Sequence, residues 1–429
     1  RAEAVPRRRW AFSASGAIMA APEEGRAMFN KRVKRNPCLR LLVAILAIAV
    51  PALAQFHDDF SGPLAKDPEG VKGWSYFTGE GRAVMDFVGK DGYASILVDA
   101  TKDRRGVWWA LIKRRVSDKL DLALLEKPGY ELRISARVRV SHAPRRVNLH
   151  LNTQKTTDFH THLMEFDIPD TTEWHAISMT TRGFKAGPGD TVNGQLALMD
   201  WGLGRYRVDV DDFRVDVVNA ALAGPDEGEP LPYHPPIADP GAFGREVRVT
   251  ADATIDIDNP DVNLNNWYVR DVAGKTNVVT AGGGRSAILR WDFGAFAGRK
   301  VAGPGLLELT TRSLERTSDE HPDFGLIRVV EITGGEAGWD QAKVTFNSLC
   351  LGRPADDVLD PQMIIDWPVT EGDGGKTLLT IPRPVLQRLL DGRALGIAVR
   401  PLGAINASFY ALESGNAGSC ARLLFNLQK

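Results

Sequence analysis

The sequence predicts an all-β protein of two β-sandwich, jelly-roll-like domains joined by a Pro/Gly-rich linker. Three observations carry that expectation. Apolar and polar residues alternate with period 2 in both halves of the chain, the signature of strands buried on one face. The alternating segments are separated by Gly, Pro and Asn turns, with few helical patterns. A stretch at 220–244 holds six Pro and several Gly, lacks apolar periodicity and divides the chain. A length of 429 residues suits two domains, and 43% hydrophobic content with 25% charged residues excludes a collagen, a disordered tail or a multi-span membrane protein.

Residues 1–54 read as a secretory signal peptide with an upstream extension. From Met28, basic residues (Lys31, Arg32, Lys34, Arg35, Arg40) precede an apolar run at 41–50, and Ala52-Leu53-Ala54 offers a cleavage site before Gln55. The run is too short for a confident membrane span. Without this segment the charge falls from −1 to about −8, which argues against general nucleic-acid or membrane-surface binding. Of the three Cys, Cys38 leaves with the signal. Cys350 and Cys420 are candidates for one disulfide in an exported protein, depending on a separation that sequence does not give.

The first domain is expected over 55–219. Leu132, Ile134, Ala136, Val138 and Val140 alternate with Arg133, Ser135, Arg137 and Arg139, then Val147, Leu149 and Leu151 alternate with Arg146, Asn148, His150, Asn152 and Gln154. A solvated strand face usually carries Lys, Glu and Thr; a row of amides with an imidazole resembles the lining of a saccharide groove. A loop at 155–158 pairs Val147, Leu149 and Leu151 with Phe166, Met164 and His162, leaving His150 on the other side near Leu163 and Glu165. His160 and His162, at i and i+2, have the spacing of transition-metal ligands, but that register weakens a three-His site. Tyr206 is in phase with Val208 and Val210 and reads as core.

Residues 101–155 hold 14 Lys/Arg against five Asp/Glu, a local surplus suited to uronate or sulfate groups. Within it, Arg133, Arg137 and Arg139 share one strand face where carboxylates can be gripped bidentately. Trp108 and Trp109 lie beside Lys113 and Arg115. Consecutive strand residues face opposite sides, so one Trp is assigned to the core and the other to a sugar-stacking platform.

The second domain is expected over 245–429, with strands at 247–250, 287–293, 306–310 and 396–400 and one helix at 383–392, Pro384 near its start and Gly392 at its stop. Neither domain shows a P-loop, G-x-S-x-G, H-E-x-x-H or C-x-x-C pattern.

The segments 249–255, 285–293, 339–347, 389–400 and 408–414 of the second domain, in that order, resemble the DNRLRE-type β-sandwich modules, a group that includes alginate-binding carbohydrate modules. Phe346 and Ala411-Leu412-Glu413 depart from the usual Trp and Ser-Arg-Glu. The resemblance implies adhesion or polysaccharide binding rather than catalysis. The first domain, through 58–62, Gly73-Trp74, 127–138 and 206–215, is similar to galactose-binding-like jelly-roll carbohydrate modules. That resemblance implies a structural Ca²⁺ between early and late acidic residues, for which Asp58, Asp59, Asp211 and Asp212 are the carboxylates.

The functional expectation is a secreted carbohydrate-active protein acting on acidic polysaccharide. One form is a β-eliminating polysaccharide lyase with His150 as base and Asn152, Gln154, Arg137 and Glu165 completing the site, aided for substrate by Trp108, Trp109, Lys113, Arg115, Arg133, Arg139, Asn148, His160 and His162. The alternative is a non-catalytic polysaccharide-binding or cell-surface protein. A glycoside hydrolase needs two carboxylates about 5–10 Å apart, and Glu165 has only Asp167 or Asp200 as partner. No organic cofactor is implied.

Overall fold

The computed structural model describes residues 56–79, 81–103, 109–232, 235–271, 274–316 and 325–429. The segment read above as a signal peptide and Trp108 lie outside them. In the first sandwich the strands are β1 (Phe56–Asp58), β2 (Ser75–Thr78), β3 (Val84–Lys90), β4 (Tyr93–Asp99), β5 (Trp109–Arg115), β6 (Tyr130–Val140), β7 (Arg145–Thr153), β8 (Leu163–Ile168), β9 (His175–Thr180), β10 (Val192–Met199), β11 (Arg205–Asn219) and β12 (Glu229–Leu231). They form two antiparallel sheets, β3-β4-β11-β6-β9 with β1 added to β11, and β12-β8-β7-β10-β5-β2. The alternation dictates the packing. Leu132, Ile134 and Val138 from one sheet meet Val147, Leu149, Ile112 and Leu196 from the other, all fully buried, with Trp74 and Phe213 in edge contact among them.

The second sandwich contains β13 (Arg245–Arg248), β14 (Ala251–Asp256), β15 (Tyr268–Asp271), β16 (Gly274–Gly282), β17 (Arg285–Arg290), β18 (Gly305–Arg316), β19 (Leu326–Ile332), β20 (Leu359–Pro368), β21 (Lys376–Ile381), β22 (Gly396–Leu402), β23 (Ile405–Tyr410) and β24 (Arg422–Phe425). The long β18 is the corner. Its first half pairs with β21 and β24, a bulge follows at Thr311/Ser313, and its second half pairs with β23, so one strand serves both layers. Two helices interrupt the strands, α1 (Phe346–Cys350) and α2 (Arg383–Leu390). The second is the helix expected from Pro384, and it stops two residues before Gly392, which takes the left-handed φ of 70° that glycine tolerates.

The connection needs one correction, and the cysteine question left open above is answered. Part of the 220–244 connection is built into the fold: β12 pairs with β8, and the Arg133 guanidinium donates to the carbonyls of Ala223 and Pro225, each at 2.8 Å. Cys350 and Cys420 are both free thiols, buried in separate core clusters of the second sandwich. No helix of the described residues is long and apolar enough to cross a membrane.

The two sandwiches share a buried ionic seam. Arg388 of α2, 4% exposed, donates to both Asp167 oxygens (3.0 and 2.8 Å) and to Glu331 (2.9 and 2.6 Å), bridging β8 of the first sandwich and β19 of the second. Arg145 reaches Asp360 at 3.2 Å, the Arg146 N–H donates to Gln362 Oε1 at 2.7 Å, and Gln362 donates to the Met199 carbonyl at 2.7 Å. Burial pushes the Asp360 carboxyl up to about 6 against the pull of Arg145, and pushes Asp167 up against the pull of Arg388. A guanidinium between two buried carboxylates satisfies both, and removing it strands two desolvated charges. Arg388→Ala is therefore expected to cost about 3–5 kcal/mol in chemical denaturation; a loss under about 1 kcal/mol, the range of exposed pairs, would show that the seam is solvated.

Candidate functional site

The outward face of the sheet β12-β8-β7-β10-β5-β2 is the candidate site. Residues directly opposite in antiparallel strands point to the same side, so the registers define transverse rows. The central row is Ser75, Lys113, Gln195, His150 and Leu163, running from β2 to β8. One row toward the seam come Phe77, Leu111, Ala197, Asn148 and Glu165; one row away come Arg115, Asn193 and Asn152. The expected hairpin register holds at Val147–Phe166 and Leu149–Met164. Strand β8 begins only at Leu163, however, so His160 and His162 sit in the preceding turn rather than on a strand.

Polar side chains on an outward sheet face are normally wet, yet Asn148, His150, Asn152 and Gln195 are all buried. Phe159 stacks edge-on to the His150 ring at 5.9 Å, and the Met199 sulfur lies 3.2 Å from Asn148 Nδ2. Trp109 and Phe77, exposed and packed edge to face at 5.4 Å, form the rim on the β5-β2 side. The floor is not fully satisfied: His150 Nε2 and Asn148 Oδ1 are buried without a hydrogen-bond partner. Asn152 accepts from Asn193 at 3.1 Å.

Charge is distributed unevenly across this face. Glu165 is consumed by Arg146 at 3.0 Å and Asn148 at 3.1 Å, next to the seam. Lys113 has no ion-pair or hydrogen-bond partner among the described residues, and Arg115 donates to the Thr191 hydroxyl at 2.7 Å without a carboxylate. Two cations two residues apart on one strand thus face outward without a carboxylate partner among the described residues. Burial pulls the His150 imidazole down to about 4, with neighbouring Gln195 opposing the shift, so the ring is neutral at neutral pH.

The other expected site residues are dispersed. Arg133, Arg137 and Arg139 project from β6, in the opposite sheet, so the hydrophobic core separates them from His150. They do not form a joint site, and they are already occupied: Arg137 with Asp211 at 3.2 Å, Arg139 with Asp209 at 2.9 and 3.1 Å, Arg133 with the carbonyls above. Gln154 leaves the floor to bond Asp190 and Thr191. His160 bonds Asp158, and His162 stacks on Phe184 at 4.9 Å. The four carboxylates expected to hold Ca²⁺ are met by donors and cations instead. Asp58 accepts from the Trp74 indole at 2.7 Å, Asp59 from Ser61, and Asp212 from His57 and Arg214, while Arg137 lies against Asp211. Among the described residues no group of three or more His, Cys, Asp or Glu is placed to hold a metal. Tyr206 is buried as expected.

Gln195, Asn193, Phe77 and Phe159 belong to the site and were not singled out from sequence. The signal was present for two of them, since Val192–Met199 alternates amides with apolar residues as β7 does.

No family model matches the chain, and no curated protein matches it. Among solved structures it is similar to a family 11 carbohydrate-binding module from Clostridium thermocellum in complex with a β-1,3-1,4-mixed-linked tetrasaccharide, at 16% identity and TM-score 0.24, covering 38% of this chain and 94% of that one. It is similar also to a family 4 carbohydrate-binding module (19%, TM-score 0.26, 37% and 97%) and to the CBM22-1 xylan-binding domain of Paenibacillus barcinonensis Xyn10C (13%, TM-score 0.25, 39% and 96%). These families are neither of the two that the sequence resembles. At such scores nothing about ligand or activity passes from those proteins to this chain.

The depressed His150 pKa has a stability consequence. The unfolded chain takes up a proton at this residue below about 6.5, the folded chain only below about 4. Between those values the unfolded state binds the extra proton, so the His150 contribution is lost as pH falls through that window, by about 3 kcal/mol at full extent. Urea denaturation at pH 7 and pH 4 should show a larger acid loss in the native protein than in His150→Gln. Equal losses would place the imidazole in water.

Proposed function

We propose that the chain is an exported, non-catalytic saccharide-binding protein whose ligand lies on the outward face of β8-β7-β10-β5-β2 and is an anionic polysaccharide. The observation that carries this reading is one row: Lys113 without a counter-charge, Gln195, and His150 with a buried, unpartnered Nε2. Sugars present many hydroxyls that donate and accept at once, and a floor of amides with a neutral imidazole offers matching groups. Lys113 and Arg115 supply the attraction for a uronate or sulfate. Trp109 offers an exposed ring against which the apolar face of a sugar can pack.

Binding is favoured over β-elimination for physical reasons. A base whose conjugate acid has a pKa of about 4 is poorly matched to removing a carbon-bound proton at neutral pH. Arg137, the expected carboxylate neutraliser, faces away on the other sheet. Hydrolysis fares no better, because Glu165 is held by Arg146, Asp167 by Arg388, and Asp200 lies against Arg328 at 3.5 Å.

The test is affinity electrophoresis of the native protein and three variants in gels carrying acidic or neutral polysaccharides, with absorbance at 235 nm followed in parallel. Lys113→Ala and Arg115→Ala should each weaken retention on the acidic polymer by about tenfold or more, the scale of one charge-assisted hydrogen bond. Added salt should reduce the native protein's retention, and Trp109→Ala should weaken retention regardless of charge. An absorbance rise lost in His150→Ala would overturn the non-catalytic reading. Retention indifferent to all three substitutions would place the ligand elsewhere.

A further inference from the structure

A second unsatisfied cluster lies in the other sandwich. Asp252 of β14 is 1% exposed, and its Oδ1 is buried with no hydrogen-bond partner; Glu413, in the turn after β23, has a buried Oε2 in the same condition. The two are tied together. The Leu412 N–H donates to Asp252 Oδ2 at 2.9 Å, the Asp252 N–H donates to Gln341 Oε1 at 3.3 Å, and Gln341 Nε2 donates to Glu413 Oε1. Asn263 donates to the Gln341 carbonyl at 3.0 Å, and Asn265, bonded to Asn263 through its N–H, carries another buried, unpartnered oxygen, Oδ1.

A buried carboxylate facing a second carboxylate without a cation is a costly arrangement. No positive side chain of the described residues offsets it. Burial and the Glu413 charge push the Asp252 carboxyl up to about 7, against one hydrogen bond from Leu412. Arg248, the basic side chain felt at neighbouring Cys420, is bonded to Glu246 and to the Ala417 carbonyl. The seam shows how this protein neutralises carboxylates where no ion is needed, by placing an arginine between them. Between Asp252 and Glu413 it places none.

We propose that Asp252 Oδ1 and Glu413 Oε2 are ligands of a divalent cation, with Ca²⁺ the chemical fit. The donors are hard oxygens, they come from separate segments, and their flexible spacing suits the variable coordination of calcium better than the strict octahedron of magnesium. Backbone carbonyls and water would complete the shell. Bound there, the ion fastens the strand β14 to the turn after β23 and to the loops at 259–267 and 339–345. This site is separate from the carboxylates of the first sandwich, which already have partners.

The experiment is calorimetric titration and thermal denaturation of the whole chain after exhaustive chelation, with calcium or magnesium chloride. One calcium per chain should bind, half-saturating at about 10⁻⁴–10⁻³ M as in extracellular modules, with a raised melting temperature and a weaker response to magnesium. Both Asp252→Asn and Glu413→Gln should abolish the calcium response. Since Asp252 lies in the core, Glu413→Gln, at a partly exposed turn, keeps the test informative if the first variant fails to fold. Absence of heat and of any thermal shift in the native protein would overturn the site. So would an undiminished calcium response in a folded Glu413→Gln, or higher stability of Asp252→Asn in chelator with no calcium effect on the native chain, which would show a shared proton in place of the ion.

Discussion

Strand β7 is buried on both faces, and much of the molecule answers to that constraint. On its inner side Val147, Leu149 and Leu151 close the hydrophobic core; on its outer side Arg146, Asn148, His150 and Asn152 are withdrawn from water. Apolar groups need only neighbours, whereas each buried polar atom needs a partner of the right kind. The outer row finds partners at one end and lacks them in the middle. Arg146 is met by Glu165 and by Gln362 of the second sandwich, while His150 Nε2 and Asn148 Oδ1 are buried without a hydrogen-bond partner.

The second sandwich has a part in this. Its contacts with Arg145, Arg146 and Asp167 fix the seam end of the first sandwich's outer sheet, and Trp201 anchors the adjoining turn by donating to the Arg146 carbonyl at 2.9 Å. On the proposed function, a face built on strands and braced by a second domain holds its polar groups in place before a ligand arrives, which lowers the ordering cost of binding. The ionic character of the seam favours one docked arrangement, because a displaced carboxylate or guanidinium would be left buried alone.

Period 2 made most of the fold legible. The phase of Leu132–Val140 and of Val147–Leu151, the β7-β8 register and the helix carrying Arg388 follow from alternation and from Pro384. What alternation does not carry is which sheet a strand joins. Arg133, Arg137 and Arg139 looked like neighbours of His150 because both rows are polar and close in sequence, but β6 and β7 are the hinge between layers, and their outward faces look in opposite directions. Charge counting failed for a related reason: much of the surplus at 101–155 is paired with Asp209, Asp211, Glu165, Asp360, Asp190 and Asp226, which lie outside that stretch. The unneutralised Lys113 and Arg115 become visible only after those pairs are subtracted. The acidic residues near Asp58 and Asp212 had the composition of a cation site but not its geometry, whereas Asp252 and Glu413, 161 positions apart in the numbering, meet only in the folded chain.

On the proposed function, the His150 row receives a saccharide. The most direct test is the long-range ¹H–¹⁵N spectrum of the histidine imidazoles, recorded while an oligouronate is titrated into the native protein at neutral pH. The expected result is a neutral His150 whose Nε2 resonance moves with ligand, together with the Trp109 indole, while His57 and His142 stay fixed. Movement confined to other residues, or a His150 that is protonated at neutral pH and indifferent to sugar, would contradict it.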